Sequence, residues 1–346
     1  MATTSAPGTE FSDDLSGFAA DSEDAAPGIG PWRLAWRRLR RNKVALAFGG
    51  LFLVILALCL LAPVYANDIA HTSPSFGNPT GTVKVGGKTE YILSLQSIPI
   101  GPTWHSRYFL GADGNGRDVA VRLLYGGRNS LEIGFVAMLI TMIIAVILGV
   151  VAGYFRGLAD GVISRFLDVI WAYPAVLLGV ALGVSLAVGG INFGLFQLSG
   201  STLLVPAFVI GIVYIPYVAK PVRGQVLVLR EREFVDAARQ QGLGHIRIMF
   251  SEILPNLSST IIVFVPLILA NAILLEAGLS YLGAGVQPPN PSWGTMISDG
   301  IATIPAAFHN VLVPGIMLVL AVLSINIFGD GLRDALDPRA KVRIAH

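Results

Sequence analysis

Few residues in this chain of 346 residues could do chemistry, and none of them forms a complete site. The segment VGGKT ends like a phosphate-binding loop. Such a loop needs a glycine five positions before Gly87, so that backbone N–H groups can surround a phosphate. That position is Thr82, and the nearby glycine is Gly81. The spacing therefore argues against nucleotide binding here.

The patterns that could bind a metal ion or cleave a bond are also incomplete. DGNGRD, at residues 113–118, begins like a calcium loop, but Arg117 takes a ligand position and no glutamate follows at the required distance. The segment is therefore predicted to be a turn. The five histidines show no pair at metal-ligand spacing, and no serine lies in a nucleophile-elbow pattern. The sequence predicts no catalytic residue, no metal site and no cofactor bound by this chain.

Composition indicates where such a chain lies. It is 53% hydrophobic and 13% charged, whereas soluble domains are roughly 25% charged. Six apolar runs are each long enough to cross a bilayer as a helix, and they lack the alternation of barrel strands. The predicted fold is an all-α integral membrane protein with six transmembrane helices, at residues 44–61, 133–155, 166–188, 203–219, 257–275 and 311–328.

The positions of the positive charges predict the topology. Eighteen of the 24 lysines and arginines lie before the first run, after the last, or in the connectors that follow the second and fourth. Because positive residues are retained in the cytoplasm, both termini are predicted to be cytoplasmic. The net charge of +2, without a basic patch interleaved with aromatics, gives no indication of a nucleic-acid partner.

Five regions follow from this topology. Residues 1–31 are predicted to be a disordered acidic cytoplasmic tail, and residues 32–65 a basic interfacial helix and the first span, which contains the single cysteine, Cys59. Residues 66–128 form an external segment with a small hairpin, a turn and a short amphipathic helix. Residues 129–335 form a five-helix core that includes a polar cytoplasmic loop at 229–256, and residues 336–346 are a cytoplasmic tail.

The polar loop has the pattern of two helices joined by a tight turn. Its first helix is predicted over residues 231–241, with Glu233 and Asp236 near its positive N-terminal end. Gly242 and Gly244 end that helix, and a second helical stretch at 245–253 is expected to end at Pro255. A solvated loop that merely joins two spans is the alternative, since charged cytoplasmic loops are common.

The spacing within this loop resembles the coupling loop of ABC-importer permeases. That loop has Glu-Ala-Ala, then Gly after three residues, then Leu-Pro; the matching residues here are Asp236, Ala237, Ala238, Gly242, Leu254 and Pro255. Asp236 replaces the usual glutamate, and Glu252 stands where the family has isoleucine. Segments 110–131, 274–300 and 329–339 are similar to signatures of the dipeptide, oligopeptide and nickel class, and in particular to its second, C-type permease subunit.

The resemblance implies partners as well as a function. A C-type permease forms a heterodimer with a second, homologous permease in the bacterial cytoplasmic membrane. Two cytoplasmic ATPase subunits bind ATP and Mg²⁺, and an external solute-binding protein delivers the cargo. The cargo is expected to be peptides, with nickel chelates and other small oligomeric solutes as the alternatives. The residues that the resemblance assigns to ATPase coupling are Glu233, Asp236, Ala237, Ala238, Gly242, Leu254 and Pro255.

Two carboxylates near the ends of the apolar runs are weaker candidates. Glu276 follows the fifth run and is expected to be interfacial and solvated, with a role in the substrate pathway as the alternative. Asp168 is expected to pair with Arg165 or to be solvated. An ion-coupled secondary carrier and a structural membrane scaffold remain open as other classes of protein.

Overall fold

The computed structural model describes residues 31–189, 191–192, 197–198, 200 and 202–336. The predicted tails at residues 1–31 and 336–346 therefore lie outside the described residues, except for Pro31 and Leu336.

The chain begins with a basic helix that leads into the first span. Helix α1 (Pro31–Arg41) is amphipathic and α2 (Lys43–Leu60) is apolar. Asn42 separates them, because its side chain accepts a hydrogen bond from the Ala45 backbone N–H at 3.0 Å and so caps α2. A short helix α3 (Ala62–Val64) and a π-helical turn (Tyr65–Ile69) follow.

The predicted hairpin is confirmed in the segment after the first span. Strands β1 (Thr82–Val85) and β2 (Lys88–Tyr91) pair antiparallel, with Thr82 opposite Tyr91 and Val85 opposite Lys88. Both strands are largely exposed. The turn predicted at residues 113–118 is also present, since Gly116 N–H donates to the Asp113 carbonyl oxygen.

Helix α4 (Val119–Phe155) has 37 residues and a length of about 55 Å. The predicted short amphipathic helix and the second span are therefore one continuous helix, and the predicted boundary between residues 128 and 129 lies inside it. Asp118 starts the helix, because its carboxylate accepts hydrogen bonds from the backbone N–H groups of Ala120 and Val121.

The third predicted span, residues 166–188, is wrong as a single straight helix. Helices α5 (Gly157–Trp171) and α6 (Ala175–Gly189) replace it, and they are bent by 89°. Pro174 lies at the bend, where it supplies no backbone N–H and disfavours helical geometry at Tyr173. The two-residue strands β3 (Ile191–Asn192) and β4 (Gln197–Leu198) pair after α6.

The rest of the chain adds three long helices and a short one to the bundle, with the polar loop between α7 and α10. Helix α7 (Leu204–Leu229) lies along α4, and α8 (Glu233–Gln240) and α9 (His245–Ile248) form the polar loop. After a π-helical turn (Met249–Ile253) come α10 (Leu254–Tyr281), α11 (Trp293–Ile301) and α12 (His309–Leu336). Helix α10 contacts α4, α7 and α12, so it lies centrally in the bundle.

Among the described residues, five helical stretches are long and apolar enough to cross a membrane, and the number is six if the bent pair α5–α6 counts as one broken span. The predicted number of six is the upper end of this range. Helices α4 and α7 approach closely at Gly153, where an added Cβ would lie 2.7 Å from Val226 Cβ and 2.9 Å from the Arg223 carbonyl oxygen. This close approach forms part of the apolar core at the end of the bundle that carries α8.

Candidate functional site

Helix α8 presents an acidic surface and is anchored by an apolar one. Glu233, Asp236 and Ala237 are exposed, whereas Val235 and Ala238 are buried in the core beneath. Asp236 pairs with Arg239 at 3.0 Å on the exposed side. The structure therefore separates the two predicted alanines, because only Ala237 lies on the accessible surface.

The turn after α8 is tight and depends on a glycine. Gly242 has φ +78°, and its N–H donates to the Arg239 carbonyl oxygen at 2.9 Å. The next N–H, of Leu243, donates to the Ala238 carbonyl oxygen at 3.1 Å. This pair of bonds is a Schellman motif, which requires a left-handed residue at the position of Gly242. The predicted turn is confirmed.

The second half of the polar loop differs from the prediction. Pro255 does not end a helix; it is the second residue of α10, where a missing N–H breaks no helical hydrogen bond. The π-helical turn joins α9 to α10, and Leu254 is half-buried where α10 begins. Met249 and Ile253 are buried, but Ile246 and Phe250, which recur with them at spacings of three and four residues, are 70% and 65% exposed.

A corner between α4 and α5 contacts the polar loop, and sequence reasoning missed it. The Tyr154 hydroxyl and His245 Nδ1 are hydrogen-bonded at 2.9 Å, and Arg230 Nη1 donates to the Tyr154 carbonyl oxygen. Arg156 pairs with Glu231 at 3.0 Å. In the sequence, Tyr154 and Arg156 stand at the end of an apolar run. That position does not show which residues they contact.

Arg156 also has unusual backbone geometry. Its φ is +56°, and Gly157 follows with φ +58°. A non-glycine residue with positive φ costs free energy and persists only where its surroundings hold it. This geometry interrupts the helix between α4 and α5, and the ion pair with Glu231 forms at that break.

Ion pairs attach α5 to α7. Arg223 donates from Nε and Nη2 to the two oxygens of Asp160, at 2.5 and 2.7 Å. Asp168 pairs with Lys220 at 2.8 Å and its side chain is 57% exposed, so the expected pairing with Arg165 is wrong and the expected exposure to solvent is confirmed. The reason is that α7 lies beside α5 and brings Lys220 to the carboxylate. Lys220 also lies 4.4 Å from the ring centroid of Trp171.

At the opposite end of α10, Glu276 is completely buried, so the expectation of a solvated carboxylate is wrong. Ser280 Oγ donates to Glu276 Oε1 at 2.6 Å, and the Val286 N–H donates to the same hydroxyl at 3.0 Å. The hydroxyls of Ser130 and Ser292 also lie beside the carboxylate. Glu276 thus joins α4, α10 and the start of α11.

Further hydrogen bonds tighten the same region. Asn129 Nδ2 donates to the Pro291 carbonyl oxygen at 2.7 Å. The backbone N–H of Trp293 donates to Ser130 Oγ, and its indole N–H donates to the Leu123 carbonyl oxygen. Trp293 is fully buried. The segment between α10 and α11 is therefore held firmly against α4.

Four charged residues form a second feature at this end, also missed from the sequence. Asp113 Oδ2 accepts from Arg117 and Arg122 at 2.7 and 2.8 Å. Asp299 Oδ2, from α11, accepts from the same two arginines at 2.9 and 3.0 Å. Burial raises the pKa of Asp299, and the neighbouring Arg117 opposes that rise. The four side chains link the start of α4 to α11, beside a cavity of about 340 Å³.

Asp118 lies next to this group and is also deeply buried. Burial raises the pKa of its carboxyl, while hydrogen bonds from the backbone N–H groups of Tyr108, Val121 and Ala120 act in the opposite direction. The Tyr108 bond is 2.6 Å long. Asp118 therefore attaches the segment before α4 to the helix that it caps.

These features define a multi-span membrane protein whose two ends carry different polar structures, and the comparisons with known proteins identify its family. Residues 145–342 match the family described as binding-protein-dependent transport system inner membrane component. Residues 30–78 match the N-terminal TM domain of oligopeptide transport permease C.

Similar proteins are found in several bacteria. The chain is 36% identical over 319 residues to the dipeptide transport system permease protein DppC of Alkalihalophilus pseudofirmus, covering 92% of this chain and 93% of that protein. It is 39% identical over 311 residues to the glutathione transport system permease protein GsiD of Salmonella typhimurium, covering 90% and 91%. It is 36% identical over 315 residues to the di/tripeptide transport system permease protein DppC of Pseudomonas aeruginosa, covering 90% and 93%.

The fold also matches a solved structure, an inward-facing conformation of the MetNI methionine ABC transporter. The TM-score is 0.50 at 17% identity, covering 62% of this chain and 96% of that chain. The present chain belongs to the family of binding-protein-dependent transport permeases and is a multi-pass protein of the bacterial inner membrane.

Proposed function

We propose that this chain is one of two permease subunits of an ATP-driven importer that moves di- or oligopeptides into the bacterial cell by alternating access. The similar proteins described above are named for dipeptides, di/tripeptides and glutathione, and each is matched over about nine-tenths of its length. Short peptides are the chemical class that these three cargoes share.

The charge distribution supports an orientation for this permease. Arginines and lysines are concentrated at the end of the bundle that carries α1, α8 and the last turn of α12. Since positive residues favour the cytoplasmic side, α8 faces the cytoplasm. The hairpin, Glu276 and the Asp113–Asp299 group then face outward.

Helix α8 is the element that we assign to coupling with an ATPase. Its exposed Glu233, Asp236 and Ala237 form the docking surface, with the carboxylates meeting basic groups of the ATPase. Ala238 acts from beneath, because its burial holds α8 against the core. Gly242 fixes the turn, and Leu254 and Pro255 form the first turn of α10, into which α8 leads.

The contacts of the α4–α5 corner carry the proposal. Helix α8 is linked covalently to α7 and α10, and Tyr154, Arg156, Arg230 and His245 link the same loop to α4 and the start of α5. A displacement of α8 is therefore transmitted to four elements together. This is the rigid-body transmission that an importer driven by a partner's ATP cycle requires.

The proposed partners follow from this transmission of movement, because the energy comes from ATP bound by other subunits. Two cytoplasmic ATPase subunits bind ATP and Mg²⁺ and supply the energy. A second, homologous permease completes the pathway across the membrane as the other half of a heterodimer. An external solute-binding protein delivers the peptide at the end that carries the hairpin. In this scheme the chain hydrolyses no ATP and binds no cofactor itself.

The test is transport by the complete complex in proteoliposomes with a labelled dipeptide. We expect ATP-dependent import, and we expect Tyr154→Phe, which removes only the hydroxyl that meets His245, to lower the amount of peptide imported per ATP hydrolysed. Tyr217→Phe is the matched control, since Tyr217 is 42% exposed on α7. Peptide flux through the purified chain alone, without ATP, would overturn the proposal.

A further inference from the structure

Helix α1 carries three stripes of side chains with different surroundings. Ala35 and Leu39, four residues apart, are buried, and Leu39 lies in a cluster with Phe328 and Leu332 of α12. Trp32 and Trp36, also four residues apart, lie beside this buried stripe and are each 53% exposed. Residues spaced by four share one face of a helix. The helix is therefore fixed to the bundle on one side and leaves both tryptophans uncovered.

The third stripe is basic. It continues around the helix from the tryptophans and consists of Arg33, Arg37, Arg40 and Arg41, all exposed. In the part of the chain that the structure describes, no carboxylate forms an ion pair with any of these four. Arg40 instead lies 4.9 Å from the ring centroid of Trp36. Four guanidinium groups thus face outward together, with no acidic partner among the described residues.

The position of α1 relates these stripes to the membrane. The helix ends at Arg41, and the first span begins at Lys43, after the single cap residue Asn42. A helix attached so closely to the start of a span lies at the bilayer surface. Tryptophan prefers the depth of the lipid headgroups, and exposed arginine forms bidentate hydrogen bonds with phosphate.

From this geometry we propose that α1 is a binding surface for anionic phospholipid headgroups. The tryptophan stripe enters the interfacial layer beside the start of α2, and the arginine stripe takes the headgroup phosphates. A basic amphipathic helix with aromatic side chains at the polar boundary has the charge and shape for this ligand. Because α1 packs on the last turns of α12, the bound lipid also holds that end of the bundle.

The experiment uses the full-length chain in detergent and measures lipid binding by native mass spectrometry. Phosphatidylglycerol and phosphatidylcholine with the same acyl chains are titrated separately. We expect tighter binding of phosphatidylglycerol, and Arg33→Gln/Arg37→Gln should weaken it by roughly 25-fold, at about fivefold for each arginine. Glutamine is also a good helix former, so α1 should remain folded.

A matched variant separates a local effect from a change in net charge. Lys84→Gln/Lys88→Gln removes the same charge from the exposed hairpin, and it should leave the affinity for phosphatidylglycerol unchanged. Equal affinity of the parent chain for the two lipids would overturn the proposal. So would phosphatidylglycerol binding that survives replacement of all four arginines. If the arginine variants keep their lipid binding but no longer co-purify with an ATPase subunit, this face binds a protein partner instead.

Discussion

At the scale of single residues, Gly242 determines the shape of the polar loop through its backbone. Its φ of +78° is required by the Schellman motif, and an added Cβ would meet no atom within 4 Å. Gly244 has equally open surroundings but an ordinary φ of −66°. The two glycines therefore differ in backbone conformation and not in the room available for an added Cβ.

This difference gives a prediction with an internal control. Gly242→Ala should cost about 1 kcal/mol in the folded loop, because alanine disfavours the left-handed conformation, and peptide uptake should fall. Gly244→Ala should leave uptake near the parent level. Uptake by reconstituted complexes measures both, at matched amounts of protein in the membrane. Identical uptake by the two variants would show that the turn does not control coupling.

Glu276 acts at the same scale but at the other end of α10. Glu276→Gln keeps an oxygen that can accept from Ser280 and fills the same volume. Glu276→Ala leaves a cavity and the buried Ser280 hydroxyl without its acceptor. We expect the alanine variant to lose about 2–4 kcal/mol of stability, with a much smaller loss for glutamine.

Thermal unfolding in detergent measures this difference. Glu132→Ala, which removes an exposed carboxylate from α4, serves as the control and should change the midpoint little. A midpoint for Glu276→Ala equal to that of the control would mean that the carboxylate does not hold the helices together.

The sequence showed both residues but predicted only one of them correctly. A glycine followed by polar residues after a helical pattern directly indicates a left-handed turn, since that preference is local. Glu276 is buried beside Ser130 and Ser292, which belong to other elements. Hydropathy predicts that a carboxylate at the end of an apolar run is solvated. It does not show whether the fold brings hydrogen-bond partners to that carboxylate.

At the scale of elements, the pair α5–α6 shows what hydropathy omits. Residues 166–188 are mostly apolar, with Asp168 as the one charged residue. Hydropathy averaged over such a run does not show where a helix bends. The signal was local: Tyr173 precedes Pro174, and both positions resist continuation of a helix. The reverse error occurred at Pro255, because proline in the first turn of a helix is tolerated. Position within the element, not the presence of proline, decides the outcome.

The contact between α4 and α7 gives a prediction at this scale. Gly153→Ala should destabilise the protein by about 1–3 kcal/mol, since the new Cβ meets Val226 and the Arg223 carbonyl oxygen in a packed core. Gly224→Ala, on α7, meets no atom within 4 Å, and should be neutral or stabilising by up to about 1 kcal/mol. We expect a lower thermal midpoint for Gly153→Ala and an unchanged or higher midpoint for Gly224→Ala. An unchanged midpoint for Gly153→Ala would contradict the close helix contact.

At the scale of the whole molecule, the class of protein was predictable and the tertiary connections were not. Long apolar runs and the spacing from Asp236 to Pro255 are linear patterns, and they indicated a six-span permease. The group formed by Asp113, Arg117, Arg122 and Asp299 joins residues far apart in the chain. The same holds for Tyr154 and His245. Such contacts depend on how helices pack, which one sequence does not specify.

The hairpin has a practical consequence for mapping the protein in living cells. Its tip, Gly86–Gly87, is exposed, and a Cβ added at either glycine would meet no atom within 4 Å, so a short epitope inserted there should not disturb the helices. An antibody should label this epitope on intact spheroplasts without detergent. Labelling only after permeabilisation would reverse the assigned sidedness. Labelling at these two exposed glycines thus determines the membrane orientation of every helix in the bundle in one experiment.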